Sequence, residues 1–197
     1  PRGRSRQEAW QWPAIKLAAC YGNEATVRRT AEVADGWLPL GFTPGSFHEY
    51  CGWLEQGFAR AGGGKGFHNF EIQASVHVEI DQDVQAALDR LKPREALYIG
   101  GMGAPGKNFY NDYAKRLGFE EAAVKMQRLY LTGKKAEAEA EVPDALIDAI
   151  ALVGPKARIK ERLAVWKDAA REGKVDSLLL SGGTSVDALR FVAEEVL

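Results

Sequence analysis

Residues 71–80 alternate between apolar and polar without a break, and the polar set holds a pair suited to proton chemistry. Ile72, Ala74, Val76, Val78 and Ile80 would share one face of a strand; Glu71, Gln73, Ser75, His77 and Glu79 would share the other. With the apolar face packed on helices, the polar face turns inward, where small barrels normally carry bulky apolar side chains. Polar groups placed inside need partners. His77 and Glu79 stand near the carboxyl end of this strand, where they could line a substrate pocket and one of them could donate a proton. The competing reading is a strand left half exposed on that face.

A second segment, Ala19-Cys20-Tyr21-Gly22-Asn23, joins the end of an expected strand to the start of a helix. Free N–H groups and the helix dipole at such a place favour an anion, and Gly22 would let the backbone approach a phosphate closely. The same residues also suit an ordinary βα turn. Gly101-Met102-Gly103-Ala104-Pro105-Gly106 fits the pattern G-x-G-x-x-G. It does not read as a dinucleotide site, because helical segments follow it and Pro105 restricts the turn. What remains is a mobile glycine hinge beside an active site, with Asn108, Phe109 and Tyr110 near the substrate, or a plain loop between helices. His48 and His68 lie in loop-like contexts and read as surface residues. No H-E-x-x-H, Cys-x-x-Cys, P-loop or serine elbow occurs, so metal hydrolysis, nucleotide hydrolysis and serine esterase chemistry lack support.

The elements that would position these residues follow a repeated plan. Ala31 to Phe42 and Glu172 to Gly183 each run from a helix end through an aspartate into a short apolar strand and a loop. Strands apolar on both faces suit a parallel sheet covered by helices on both sides. Strands are expected at 14–20, 36–41, 71–80 and 176–180. Asn23 is a plausible N-cap for the first helix, and Ser46 for a helix that stripes Phe47, Tyr50, Leu54 and Phe58 and stops at Gly62-Gly63-Gly64. A helix over 83–91 is expected to stop at Pro93, and residues 94–150 to be mostly helical, an inserted segment with breaks near 100–106, 118, 133 and 143. Pro155 opens a helix with Ile159, Leu163, Trp166 and Ala170 on its apolar stripe. The last helix begins at Thr184-Ser185-Val186-Asp187, a variant capping box, and is expected to bury Val186, Leu189, Val192 and Val196. Four strands each followed by helix make half of a (β/α)8 barrel or an open doubly wound sheet.

Bulk properties bound the partners. The chain has 197 residues, 27% of them charged, with net charge -1, so no global field draws it to nucleic acid or an anionic membrane surface. No apolar run is long enough to span a bilayer and no signal peptide is visible. Cys20 and Cys51 lack metal-ligand spacing, so reduced thiols in a cytoplasmic protein are expected. The chain opens at Pro1 in a polar stretch, reading as a piece of something longer. Residues 1–13 are expected to be linker-like and 14–197 a single partial barrel domain. Four strands would leave open edges, so a homodimer is expected, and a catalytically silent half-barrel that self-associates is the alternative to an enzyme.

Four stretches carry a family resemblance. Ala31-Glu32-Val33-Ala34-Asp35-Gly36-Trp37-Leu38-Pro39 resembles the segment entering the sixth barrel strand of the bacterial luciferase-like monooxygenases. Ala96 to Gly103, continuing through Lys107-Asn108-Phe109-Tyr110-Asn111, and Pro143 to Pro155 resemble its coenzyme F420-dependent oxidoreductase branch, as does the closing helix–strand pair ending at Leu180. The family usually has Gly-Pro after the fifth strand; here Cys20-Tyr21-Gly22-Asn23 stands there. The resemblance implies an α/β fold, the C-terminal half (strands five to eight) of a (β/α)8 TIM barrel with a helical insertion. It further implies hydride transfer between coenzyme F420 and a small organic substrate, or, as the alternative, an FMN-dependent monooxygenase. Ala18, Ala19, Cys20, Tyr21 and Gly22 would then hold the cofactor's side chain and phosphate.

Overall fold

The computed structural model describes residues 18–19, 22–181 and 184–196. Among them are five strands, all paired in parallel: β1 (Ala18–Ala19), β2 (Gly36–Trp37), β3 (Glu71–Ile80), β4 (Ala151–Gly154) and β5 (Ser177–Leu180). Helix α1 (Glu24–Val33) joins β1 to β2, and α2 (Phe47–Ala61) joins β2 to β3. The insertion between β3 and β4 holds α3 (Val84–Ala96), α4 (Phe109–Arg116), α5 (Glu120–Leu131), α6 (Lys135–Ala140) and α7 (Asp144–Ile150). Helix α8 (Lys156–Arg171) joins β4 to β5, and α9 (Val186–Val196) follows β5. Residues 1–13, and the rest of the strand expected at 14–20, lie outside the described residues.

β3 organises the sheet. Along a strand the N–H groups of odd and even residues point to opposite edges. Glu71 donates to the Asp35 carbonyl at 3.0 Å and Asp81 to the Gly154 carbonyl at 3.1 Å, so β2 and β4 share one edge. Ile72 donates to the Asp176 carboxylate at 2.7 Å, so β5 lies on the other. The aspartate of the second repeated segment thus fastens the start of β5 to β3. The lateral order β1, β2, β3, β5 is that of the four expected strands; β4 is an unexpected fifth that extends the β2 edge along His77–Ile80.

The apolar face of β3 is sealed. Ile72, Ala74, Val76 and Val78 are buried with Trp37, Tyr50, Leu54, Leu163 and Trp166 in one core. Each fully buried aliphatic side chain of Leu or Ile size contributes about 1.5–3 kcal/mol. α1 and α2 approach closely at Gly57, where an added Cβ would lie 2.3 Å from the Arg28 carbonyl oxygen. A second core lies within the insertion, built on Leu91, Ile99, Tyr113, Met126, Leu146, Ile147 and Val153. The inserted segment therefore folds on its own apolar centre and packs against β4.

Local departures from expectation have physical causes. α3 runs through Pro93 instead of stopping there. Pro93 and Asp89, whose carbonyl loses its helical donor, both face solvent, so water can satisfy the lost bond. Ser46 does not cap α2 by its side chain; it closes a reciprocal capping box with Thr43 around the short turn Pro44–Ser46. Ser185, not Thr184, caps α9 by accepting the Ala188 N–H at 3.2 Å. That helix buries Ala188, Phe191 and Val192, while Val186, Leu189 and Val196 are exposed, because the Phe191 ring takes the core side. On α8, Ala169 rather than Ala170 completes the buried stripe. β5 is covered on one face only: Leu179 is 50% exposed.

Candidate active site

The tails of three strands open on one rim. Pro39, Leu40 and Gly41 follow β2, Ser75 and His77 belong to β3, and Ser181 follows β5; all line one cavity of about 420 Å³. Ligands of parallel sheets collect at this carboxyl end. The opposite wall is the insertion, which contributes Arg94, Glu95, Tyr98, Tyr110 and Tyr113. A second cavity of about 450 Å³ lies at the amino end of β5, between α8 and α9, away from this rim.

The insertion wall is held by buried asparagines. After α3 the chain winds into a single π-helical turn, Leu97–Gly101, whose last carbonyls need donors from elsewhere. Asn108 supplies them: its Nδ2 bonds the carbonyls of Tyr98 and Ile99, each at 3.0 Å. Its Oδ1 accepts the N–H groups of Tyr110 and Asn111, capping α4. Asn111 Nδ2 adds bonds to Ile99 O at 3.1 Å and Ala123 O at 2.8 Å. Two of the three motif glycines, Gly101 and Gly103, are packed, whereas Gly106 has open space around it. A Cβ on Gly101 would lie 2.5 Å from the Tyr130 ring, and one on Gly103 would lie 2.4 Å from Lys107 O. Gln127 Nε2 holds Gly103 O at 3.1 Å. Gly101 thus lets the backbone pass close to the Tyr130 ring.

These anchors set a row of tyrosines on the cavity. Tyr98 and Tyr110 have ring centroids 4.6 Å apart, and Tyr110 meets Tyr113 nearly edge-on at 6.3 Å. Gly41 has φ +63°, and a Cβ there would lie 2.5 Å from the Tyr113 ring, so only glycine lets the β2 tail lie against α4. The Tyr113 hydroxyl donates to buried Glu95 at 2.9 Å, and Arg94 Nε donates to the other carboxylate oxygen at 3.1 Å. Burial first, and the Glu95 charge second, push the Tyr113 phenol well above its ordinary range, so it remains a donor at neutral pH.

His77 and Glu79 part company here. His77 is 6% exposed and lines the cavity. Glu79 is not part of the lining. Its Oε1 accepts from Arg90 Nε at 2.5 Å, its Oε2 lies 3.5 Å from His77 Nε2, and Arg90 also binds the Asp81 carboxylate. Glu79 therefore sits between a fixed guanidinium and the imidazole, placed to orient His77 rather than to meet a ligand in the cavity.

The other expected site residues are scattered more widely. Tyr110 lines the cavity, whereas Asn108 is 1% exposed with its amide wholly engaged, and Phe109 is 41% exposed at the start of α4, outside the lining. Ala18 and Ala19 pair with Gly36 and Trp37. Cys20 and Tyr21 lie outside the described residues. Gly22 is buried at the N-terminus of α1, where Asn23 caps the helix by accepting the Thr26 N–H at 3.0 Å. His48 and His68 are exposed, as expected. Among the described residues no cluster of His, Cys, Asp or Glu is placed to hold a metal, and no helix is long and apolar enough to cross a membrane. Arg94, Glu95, Tyr98 and Tyr113 escaped the reading of the sequence, the first three because α3 was expected to stop at Pro93. The available signal was the helical spacing of Arg94 to Tyr98 and of Tyr110 to Tyr113.

Comparison with known proteins adds relatives to this geometry. A family model described as luciferase-like monooxygenase matches residues 3–172. A protein of Mycobacterium tuberculosis, named as a coenzyme F420-dependent oxidoreductase, is 39% identical over 143 residues, 73% of this chain and 41% of its own length. The coenzyme F420-dependent tetrahydromethanopterin reductase of Methanopyrus kandleri shares the fold with a TM-score of 0.69 at 18% identity, over 92% of this chain and 50% of that one. An F420-dependent secondary alcohol dehydrogenase, solved with an F420-acetone adduct, does so at 0.59 and 13%, over 95% and 50%. The chain thus spans half or less of the length of these relatives.

Proposed function

The chain belongs to the luciferase-like monooxygenase family, and we propose that it is the C-terminal half, strands five to eight, of a (β/α)8 oxidoreductase that transfers hydride between coenzyme F420 and a small organic substrate. The observation that carries this is the cavity at the carboxyl ends of β2, β3 and β5, closed by the tyrosine wall of the insertion and floored by His77. Support for the cofactor comes from the 39% identical relative and its name.

The residues present fit such a group. Gly22 is buried beside the first turn of α1, where an added Cβ would lie 2.9 Å from Arg116 Nη2, so glycine lets a cationic side chain approach the backbone there. Ala18 through Gly22 would hold the phosphate-bearing side chain there. The bound deazaflavin supplies the hydride chemistry itself. The chain's own residues orient and exclude water. Tyr98, Tyr110 and Tyr113, their rings inclined to one another, form an aromatic wall for the substrate body. Asn108 sets that wall by capping α4, and Glu79 orients His77. With Nε2 turned to Glu79, the other ring nitrogen of His77 would hold or deliver the proton that accompanies hydride transfer at the substrate oxygen.

Titration tests the assignment. The purified chain is expected to bind coenzyme F420 saturably, read by the cofactor's own fluorescence, and to bind flavin mononucleotide at least tenfold more weakly. The reverse order would support the monooxygenase reading, and no saturation with either would remove the cofactor assignment.

A further inference from the structure

The polar groups around the active-site cavity are unevenly spent. Glu95 is 5% exposed, and its carboxylate is used up within the protein. Its Oε2 accepts the Tyr113 hydroxyl at 2.9 Å, and its Oε1 lies 3.1 Å from both Nε and Nη2 of Arg94. The side edge of the Arg94 guanidinium is thus committed to one oxygen. A guanidinium carries five N–H donors, so its end edge, formed by Nη1 and the second proton of Nη2, is left over. Among the described residues nothing accepts from that edge. The Arg94 side chain is 38% exposed, and it lines the cavity.

Three hydroxyls share this cavity with it. Ser75 on β3, Ser181 after β5 and Tyr98 in the π-helical turn all line it, and their hydroxyls have no hydrogen-bond partner among the described residues. Arg94 and Tyr98 are four residues apart on continuous helical turns, so they reach the cavity from one side of the chain. The cavity therefore offers unspent donors, while the one carboxylate in its lining already serves protein groups. A ligand that fits must bring acceptors.

We propose that Arg94 receives a carboxylate of the substrate on its free guanidinium edge, so that the substrate is a small organic acid. This rests on the oxidoreductase reading of the site and extends it to the class of substrate. Two parallel N–H groups match the two oxygens of a carboxylate, which an ammonium does not. Glu95 is the positioning group: it fixes the side edge and leaves the end edge for the ligand. Glu95 also cancels the guanidinium charge, so the site supplies oriented donors in place of a net positive field. That favours a singly charged carboxylate over a doubly charged phosphate, whose charge would be harder to bury. With the carboxylate held at the insertion wall, the reacting end of the molecule is left for His77 on β3.

The test titrates phenylacetate, its methyl ester and phenyl phosphate into the purified chain, read by calorimetry, for wild type, Arg94→Gln and Arg94→Lys. Wild type is expected to bind phenylacetate about tenfold more tightly than the ester, the effect of hydrogen bonds to a charged group, and phenyl phosphate more weakly than phenylacetate. Arg94→Gln should bind acid and ester alike, with Arg94→Lys between. Because Arg94→Gln leaves Glu95 short of its cation, a second variant carries Arg94→Gln and Glu95→Gln together; it has no unpaired buried charge and should show the same lost preference with an unchanged fold by melting curve. Equal binding of acid and ester by wild type, a preference that survives in either variant, tighter binding of the phosphate, or no saturation with phenylacetate would each overturn the site. No cofactor is present in this titration. An acid preference that depends on Arg94 therefore supports the site even where coenzyme F420 fails to bind and the oxidoreductase reading falls.

Discussion

Replacing His77 by alanine is expected to lower turnover of the oxidoreductase that carries this chain by on the order of 10²-fold, the usual contribution of a positioned proton carrier. His77 is the imidazole that lines the cavity; its backbone pairs with β4 and its Nε2 lies 3.5 Å from Glu79. Its removal should therefore act on kcat, with KM changed little, because the tyrosine wall that meets the substrate body stays in place. Glu79→Gln should cost less, about tenfold, and His77→Ala should abolish that difference, since Glu79 acts through the imidazole. Steady-state kinetics on His77→Ala and His77→Gln, with melting curves as a folding control, decide the matter. Wild-type turnover in a folded His77→Ala protein would end the catalytic role.

Asn108→Ala is expected to cost about 3 kcal/mol of stability. The loss combines a helix N-cap, about 0.5–2 kcal/mol, with a buried carbonyl left without a donor, about 1–3 kcal/mol. Tyr98 O depends on Asn108 Nδ2, whereas Ile99 O keeps a second donor in Asn111. For a chain of this length the shift in melting temperature is about 6–12 °C. Asn108→Asp keeps the cap oxygen but turns a carboxylate oxygen onto the Tyr98 and Ile99 carbonyls at a buried position, so it should be at least as destabilising as alanine. If Asn108 instead touched substrate, its alanine variant would melt like wild type and show a raised KM, and that result would return it to the binding site.

The two asparagines show where sequence reading reaches its limit. Alternation made β3 legible from Glu71 to Ile80, because one face had to be buried along its whole length. It also placed His77 on the inward side. It could not show that a neighbouring guanidinium, Arg90, would draw Glu79 out of the same cavity, since that depends on α3 crossing the strand's end. Ala151-Leu152-Val153-Gly154 is buried throughout, and four apolar residues between a helix and a proline carry no period that separates strand from helix. Asn108 stood in a segment whose composition suited a binding loop. Its role as a cap became visible only once the π-helical turn placed two carbonyls against it. The exposed stripe of α9 has a related cause: Val186, Leu189 and Phe191 compete for one core, and spacing alone does not say which of them wins.

The chain contains three histidines, and only one of them lies in the cavity, which allows a direct reading of where the cofactor goes. Imidazole nuclear magnetic resonance signals, assigned from single-histidine variants, would be followed while coenzyme F420 is added to saturation. Movement of the His77 signals, with those of His48 and His68 unchanged, is the result this account predicts. A His77 signal that stays still while fluorescence reports a bound cofactor would contradict it.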